Sequence, residues 1–179
     1  YYGGTGFPIN TVNINLNDPA GSNGSDSNPD AAIHMPGATL FPYKIAAGDF
    51  NNDGYTDLAM SDIYSSATVK VILGPIGSGE HSTTDDDVIT LTPPGGVSTL
   101  RFGFNMYAFP APVDGVQFDW LYVTDENGYN VIAYSGDTDG LSNDRYYIFD
   151  KEDFDGSNLS GFNSSVAYLG DLDGDGLHN

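Results

Sequence analysis

The stretch Ala47-Gly-Asp-Phe-Asn-Asn-Asp-Gly-Tyr-Thr-Asp-Leu-Ala59 holds the strongest signal in this chain. Oxygen-bearing side chains stand at loop positions 1, 3, 5 and 9: Asp49, Asn51, Asp53 and Asp57. Alternate side chains of a curled loop point to one side, and Ca²⁺ binds about six to eight oxygen ligands. Gly54 at position 6 permits the sharp turn, and the carbonyl of Tyr55 can add a ligand. The spacing predicts a calcium loop.

A second loop, Asp171-Leu-Asp-Gly-Asp-Gly-Leu-His-Asn179, repeats the pattern. Its candidate ligands are Asp171, Asp173, Asp175, Asn179 and the carbonyl of Leu177. A single run of this kind is equally well explained as an ordinary turn, since Asp, Asn and Gly favour turns locally. Two runs that match at every ligand position favour metal. An EF-hand does not fit, because position 12 of the first loop is Met60 instead of Glu and a strand-like stretch follows Asp57.

The composition excludes several classes of protein. The net charge of −20, from 25 acidic and 5 basic residues, excludes nucleic-acid binding and disfavours anionic membrane surfaces. The acids are 22 Asp and 3 Glu, a bias that indicates loops and metal sites, with adaptation to salt as the alternative. There is no cysteine, which excludes disulfides and zinc–thiolate sites. No apolar run approaches the ~20 residues of a transmembrane helix.

The chain also carries an internal repeat. Asp-Gly recurs at a constant interval, at Asp53, Asp114 and Asp175. The sequence of Ala67–Gly74 corresponds to that of Asn130–Gly136. No stretch shows the 3.6-residue spacing of apolar residues that indicates a helix. Residues rich in β-branched and aromatic side chains predict short strands at 68–73, 87–91, 120–124 and 146–149. Four short antiparallel strands per ~61 residues are typical of a propeller blade.

The order of these features resembles the FG-GAP (VCBS-like) repeat of integrin α-subunit β-propellers and of many secreted proteins. The features are a glycine-bearing aromatic strand, the acidic loop that begins with Gly48-Asp49, Leu58-Ala-Met-Ser61 and a Val/Ile strand ending in Gly74. The resemblance implies an all-β array of four-stranded antiparallel blades with a Ca²⁺ loop between the first two strands of each blade. The implied ligands are Asp49, Asn51, Asp53, Tyr55 (carbonyl) and Asp57, and in the second loop Asp171, Asp173, Asp175, Leu177 (carbonyl) and Asn179.

The chain has room for about three repeats of this length. Residues 1–39 are predicted as a partial blade, 40–101 as a blade, 102–160 as a blade with a degenerate metal loop, and 161–179 as the start of the next. In the middle unit, the residues that stand one Asp-Gly interval after Asp49 and Asn51 are Pro110 and Pro112. Proline side chains cannot bind a metal ion, so this loop is expected to have lost its site. Rings need about four to eight blades, so one chain cannot close a ring. We expect a homo-oligomer or a part of a longer chain, an expectation that the missing initiator Met favours.

These features predict a calcium-stabilised extracellular or cell-surface module that binds a protein or glycan. Two alternatives stay open: a self-assembling subunit of an extracellular filament or surface layer, and an accessory carbohydrate-binding module of a secreted enzyme. The chain is not expected to be an enzyme, since its three histidines are predicted in loops and no catalytic motif is present. The pairs Asp137/Asp139 and Asp153/Asp155 are secondary metal candidates, for which solvated turns are the favoured interpretation.

Overall fold

The computed structural model describes residues 11–14, 31–36, 41–97, 100–111, 117–126, 130–150, 166, 167 and 169. These residues form strands and no helix, which confirms the all-β class. None of them belongs to a helix that could cross a membrane. The strands are β1 (Thr11–Ile14), β2 (Ala31–His34), β3 (Ile45–Gly48), β4 (Asp57–Asp62), β5 (Thr68–Ile72), β6 (Gly79–Ser82), β7 (Ile89–Leu91), β8 (Asn105–Pro110), β9 (Asp119–Thr124), β10 (Asn130–Tyr134) and β11 (Tyr146–Asp150).

Two four-stranded antiparallel sheets share one layout. The middle sheet has the order β3-β4-β5-β7, and the last sheet has the order β8-β9-β10-β11. Each is a meander in which consecutive strands pair, except that β6 leaves the middle sheet. The four strands predicted from β-branched and aromatic runs are all present as β5, β7, β9 and β11. The corresponding segments that begin at Ala67 and Asn130 contain β5 and β10, each the third strand of its sheet.

The first sheet has the order β1-β2-β6, and none of its strands is among the four that were predicted. Its strand β6 comes from the connection between β5 and β7 and pairs in parallel with β2, Ile33 opposite His81. The sequence of β6, Gly-Glu-His-Ser, has no apolar alternation that would mark a strand. Pairing with the edge of β2 supplies the hydrogen bonds that its side chains do not predict.

The middle sheet lies between the other two, and an apolar layer fills each of its two interfaces. The layer between the first and middle sheets contains Ile33, Met35, Phe41, Met60 and Ile72. The larger layer between the middle and last sheets contains, among others, Phe50, Ala59, Val71, Leu91, Phe102, Leu121, Val123, Ile132 and Tyr134. Ala59 and its neighbour Met60 therefore face opposite layers, and both are completely buried. The middle sheet is covered on both faces by apolar contacts.

Two glycines let the last sheet approach the end of β3 closely. A Cβ on Gly48 would stand 3.1 Å from the Cβ of Ala108, on β8. A Cβ on Gly136, which follows β10, would stand 2.5 Å from the carbonyl oxygen of Phe50 and 2.6 Å from that of Asp119. Real Cβ atoms do not approach backbone oxygens so closely, so the packing of the two sheets requires glycine at position 136.

The strand register corrects the predicted alignment of the two sheets by one position. Gly48 pairs with Asp57 in the middle sheet, and Pro110 pairs with Asp119 in the last sheet. The counterpart of Asp49 is therefore the buried Ala111, not Pro110. The same shift makes Asp119 the counterpart of Asp57, a correspondence that the Asp-Gly period hides. The two four-stranded sheets lie within 40–101 and 102–160, and the predicted blade boundaries stay predictions.

Replacement of Gly136 tests the close approach of the sheets. Gly136→Ala is expected to lower the free energy of unfolding by about 1–3 kcal/mol, because the added methyl group must displace backbone atoms of a neighbouring strand and loop. Gly77→Ala is the matched control, since no atom lies within 4 Å of a Cβ there. Chemical denaturation monitored by tryptophan fluorescence measures both. Equal stability of the two variants would contradict this packing.

Candidate metal centre

The candidate loop, residues 49–56, joins β3 to β4. Gly48 and Asp57 are paired across its base, so the loop leaves and re-enters the sheet at neighbouring points. Residues 52–56 are exposed, whereas Phe50 is completely buried in the layer between the middle and last sheets. Asn52 and Gly54 have φ angles of 54° and 85°, in the left-handed region that Asn and Gly tolerate best. The loop is an exposed curl held at its base by a buried aromatic side chain.

Three predicted ligands converge inside this curl. The two carboxylate oxygens of Asp49 accept hydrogen bonds from the backbone N–H groups of Asp53 (3.1 Å) and Gly54 (3.0 Å). The side-chain oxygen of Asn51 also accepts from the N–H of Asp53, at 3.2 Å, and its amide nitrogen donates to Asp53 Oδ2 at 2.9 Å. Asp53 Oδ1 accepts from the N–H of Tyr55 at 2.8 Å. The curl therefore gathers two carboxylates and one amide oxygen.

Asp57 has a different environment from the other predicted ligands. Its side chain is completely buried at the start of β4. Its Oδ2 accepts from the N–H of Phe50 and its Oδ1 from the N–H of Gly74, both at 2.7 Å. Asp57 therefore ties the start of the loop to the end of β5.

The acidic side chains of the loop influence one another electrostatically. Burial raises the pKa of its carboxyl above the ordinary value, while the hydrogen bonds from Gly74 and Phe50 oppose that shift. The charges of Asp53 and Asp49 raise the pKa further. The loop thus concentrates negative charge, which hydrogen bonds from backbone amides of the loop and of Gly74 partly offset.

Asp119, in the neighbouring sheet, also holds the loop and was not predicted to do so. Its Oδ2 accepts from the N–H of Asp49 at 2.9 Å, and its own N–H donates to the carbonyl of Asp49 at 2.9 Å. The N–H of Asp137 donates to the carbonyl of Phe50 at 3.1 Å. Together with Asp57, these groups bind every backbone N–H and C=O of Asp49 and Phe50. The base of the loop is therefore fixed from both sheets.

The remaining candidates are placed as follows. Tyr55 is 54% exposed, and its side chain lies on the solvent side of the loop. Asp137 pairs with Arg145 (2.8 Å between Oδ2 and Nη1), which fits the favoured interpretation of that segment as a turn. His34 and His81 lie in strands β2 and β6, so their predicted place in loops was wrong. Asp153, Asp155 and the whole second loop, 171–179, lie outside the described residues.

The donor set of the first loop fits a hard cation only in part. No group of three or more His, Cys, Asp or Glu side chains in the described segments is arranged to hold a metal ion. Asp49 and Asp53 supply two carboxylates, Asn51 supplies a neutral oxygen, and Asp57 is engaged with backbone amides. All of these donors are oxygens, the type that Ca²⁺ prefers, and backbone carbonyls and water commonly complete such a shell.

The sequence of this region matches a known repeat. Residues 41–61 match the FG-GAP repeat. The match spans β3, the candidate loop and most of β4, so the resemblance is confirmed for this segment. No curated protein matches the chain. The acidic loop that joins the first two strands of the middle sheet therefore lies within the segment that matches the FG-GAP repeat.

Asp57→Asn tests the role assigned to this buried carboxylate. Phe50 and Gly74 donate to different oxygens of Asp57, so the Asn side chain sets an NH2 donor against one of these buried N–H groups, which loses its partner. We expect the free energy of unfolding to fall by about 1–3 kcal/mol, measured by denaturation in chelator so that no metal contributes. Asp86→Asn, at an exposed position, is the control and is expected to change it by less than about 0.5 kcal/mol. A neutral effect of Asp57→Asn would contradict the assignment.

Proposed function

We propose that this chain is a calcium-stabilised binding module of an extracellular or cell-surface protein, built from FG-GAP blades. The observation that carries the proposal is the convergence of Asp49, Asn51 and Asp53 in a curl between the first two strands of the matched repeat. The loop's base is bound from two sheets, so the side chains that would meet a cation stand on a fixed frame.

The proposed role of the cation is structural. Asp49 and Asp53 both raise the pKa of Asp57, so the three carboxylates repel one another when ionised. A divalent ion in the curl would offset that repulsion and would draw on the oxygen lone pairs that the loop amides leave available. Because only the folded loop presents the oxygens together, binding free energy would add to folding stability. Millimolar extracellular Ca²⁺ suits weak sites of this kind.

The stacking of the sheets supports a blade array. The middle sheet is covered on both faces, and the last sheet has an outer face rich in aromatic rings, where Trp120 stacks on Tyr147 with ring centroids 5.4 Å apart. Trp120 is 8% exposed, and its Nε1 has no hydrogen-bond partner among the described residues. Such a face suits coverage by a further sheet, which the repeat at 161–179 would begin.

The proposed activity is binding to a protein or glycan, without catalysis. The sequence has no Gly-x-Ser-x-Gly or His-Glu-x-x-His motif, and the titratable cluster at the loop is used to hold backbone amides. Hydrolysis of a polysaccharide by the purified chain would contradict this part of the proposal, and a glycan array would distinguish glycan from protein ligands.

Thermal unfolding across Ca²⁺ concentrations tests the calcium proposal. We expect the Tm to rise with Ca²⁺ and much less with Mg²⁺, with a stabilisation of about 2.7 kcal/mol when the free ion reaches 100 times its Kd. Asp53→Ala removes a loop carboxylate and should reduce the Ca²⁺-dependent rise, whereas Asp86→Ala should leave it unchanged. A Tm that changes neither with Ca²⁺ nor with chelator would contradict the calcium proposal and would show that the loop is an ordinary turn.

A further inference from the structure

Six Asp-Gly dipeptides occur in this chain, and the described residues contain two of them, Asp53-Gly54 and Asp139-Gly140. An aspartate that precedes glycine can react with its own backbone, because the glycine nitrogen can attack the carboxyl carbon of the aspartate side chain. Glycine has no Cβ that would hinder this close approach. The two dipeptides have the same covalent chemistry, so their surroundings decide which of them reacts.

The surroundings leave space around Asp53-Gly54 and restrain the other dipeptide. Asp53 and Gly54 are both exposed, and no atom lies within 4 Å of a Cβ at Gly54. Gly140 is buried, and a Cβ there would stand 3.0 Å from the Ile89 side chain. The N–H of Gly140 also donates to the carbonyl oxygen of Asp137 at 2.6 Å. Of the two dipeptides, Asp53-Gly54 therefore has the room for its peptide group to turn toward the side chain.

Hydrogen bonds of the loop act on both reacting groups of Asp53-Gly54. The N–H of Gly54 donates to Asp49 Oδ2 at 3.0 Å, a distance at which a carboxylate can accept a proton as a general base. The two carboxylate oxygens of Asp53 accept from the N–H of Tyr55 at 2.8 Å and from the Asn51 side-chain amide at 2.9 Å. These donors stabilise the negative charge that grows on the oxygens when the carbon is attacked. The nitrogen thus has a base, and the carboxyl carbon is polarised.

We propose that Asp53-Gly54 is a site of spontaneous conversion of aspartate to isoaspartate. In the first step the Gly54 nitrogen forms a bond to Asp53 Cγ, and its proton passes to Asp49. One carboxyl oxygen of Asp53 then leaves as water, with that proton and a second one from solvent, and a five-membered succinimide remains. In the second step one water molecule breaks a carbonyl–nitrogen bond of the ring. Cleavage at the original peptide bond gives isoaspartate, and cleavage at the new bond restores aspartate, so no further reactant is consumed.

The product changes the spacing of the loop. Isoaspartate continues the backbone through Cβ and Cγ, which lengthens the chain between loop positions 5 and 6 and leaves the α-carboxylate as the side group. The hydrogen bonds that gather Asp49, Asn51 and Asp53 depend on the original spacing. The reaction takes place in the metal-free loop, so it does not depend on the proposed calcium site. Loss of Ca²⁺-dependent stabilisation in the isomerised chain would, by contrast, rest on the proposed function.

Peptide mass spectrometry of the folded chain, kept in chelator at constant temperature, tests this inference. Fragmentation that distinguishes isoaspartate from aspartate gives the rate at each dipeptide after digestion. We expect isoaspartate to form at Asp53 at least about tenfold faster than at Asp139, because Asp53-Gly54 has the base and the free space. In guanidinium chloride both sites lose their surroundings. They should then react at similar rates, and Asp53 should react more slowly than in the folded chain.

Asp49→Asn tests the base assigned to the Gly54 nitrogen. Asparagine still offers an oxygen to this N–H but does not take up its proton, so the rate at Asp53 should fall about tenfold or more. Asp86→Asn removes the same charge at an exposed position outside the loop and should leave the rate unchanged. An unchanged rate at Asp139 in both variants is the internal control for an intact fold.

Three results would overturn the inference. One is equal rates at Asp53 and Asp139 in the folded chain. Another is a slower reaction at Asp53 in the folded chain than in guanidinium chloride, which would show that the loop protects this bond. The third is a rate at Asp53 that Asp49→Asn leaves unchanged or raises, which would show that the hydrogen bond to Asp49 only restrains the nitrogen.

Discussion

The rest of the structure depends on two carboxylates that occupy the same place in neighbouring sheets. Asp57 begins β4 and accepts from the N–H of Phe50, and Asp119 begins β9 and accepts from the N–H of Asp49. Hydrogen bonds to ionised acceptors are stronger than neutral ones and hold geometry tightly. One carboxylate comes from the loop's own sheet and the other from its neighbour. The pair therefore fixes the loop and joins the two sheets at the same point.

This arrangement has an electrostatic cost that links the fold to the proposed function. The chain gathers Asp49, Asp53 and Asp57 at one end of a molecule that already carries a net charge of −20. Loop amides offset part of the repulsion by donating to Asp49 and Asp53. The remaining repulsion is what the proposed divalent cation would offset.

Much of this architecture could be predicted from the sequence, because short strands of β-branched and aromatic residues carry their own signal. The strands around Val71, Val123 and Ile148 follow from composition, and the acidic loop follows from its spacing. Strand β6 could not be predicted, since its polar residues form a strand only through pairing with β2. The role of Asp119 was missed because the period of the Asp-Gly dipeptides differs by one position from the strand register. A search for an acidic residue at the start of each second strand would have found it.

Amide hydrogen exchange across the loop tests the central claim most directly. If the two carboxylates hold the loop's base, the amides of Asp49 and Phe50 must exchange far more slowly than that of the exposed Asn52. Asp119→Asn should then speed exchange at Asp49 more than at Phe50, because Phe50 donates to Asp57. Exchange at Asp49 and Phe50 as fast as at Asn52, in the intact chain, would contradict the account.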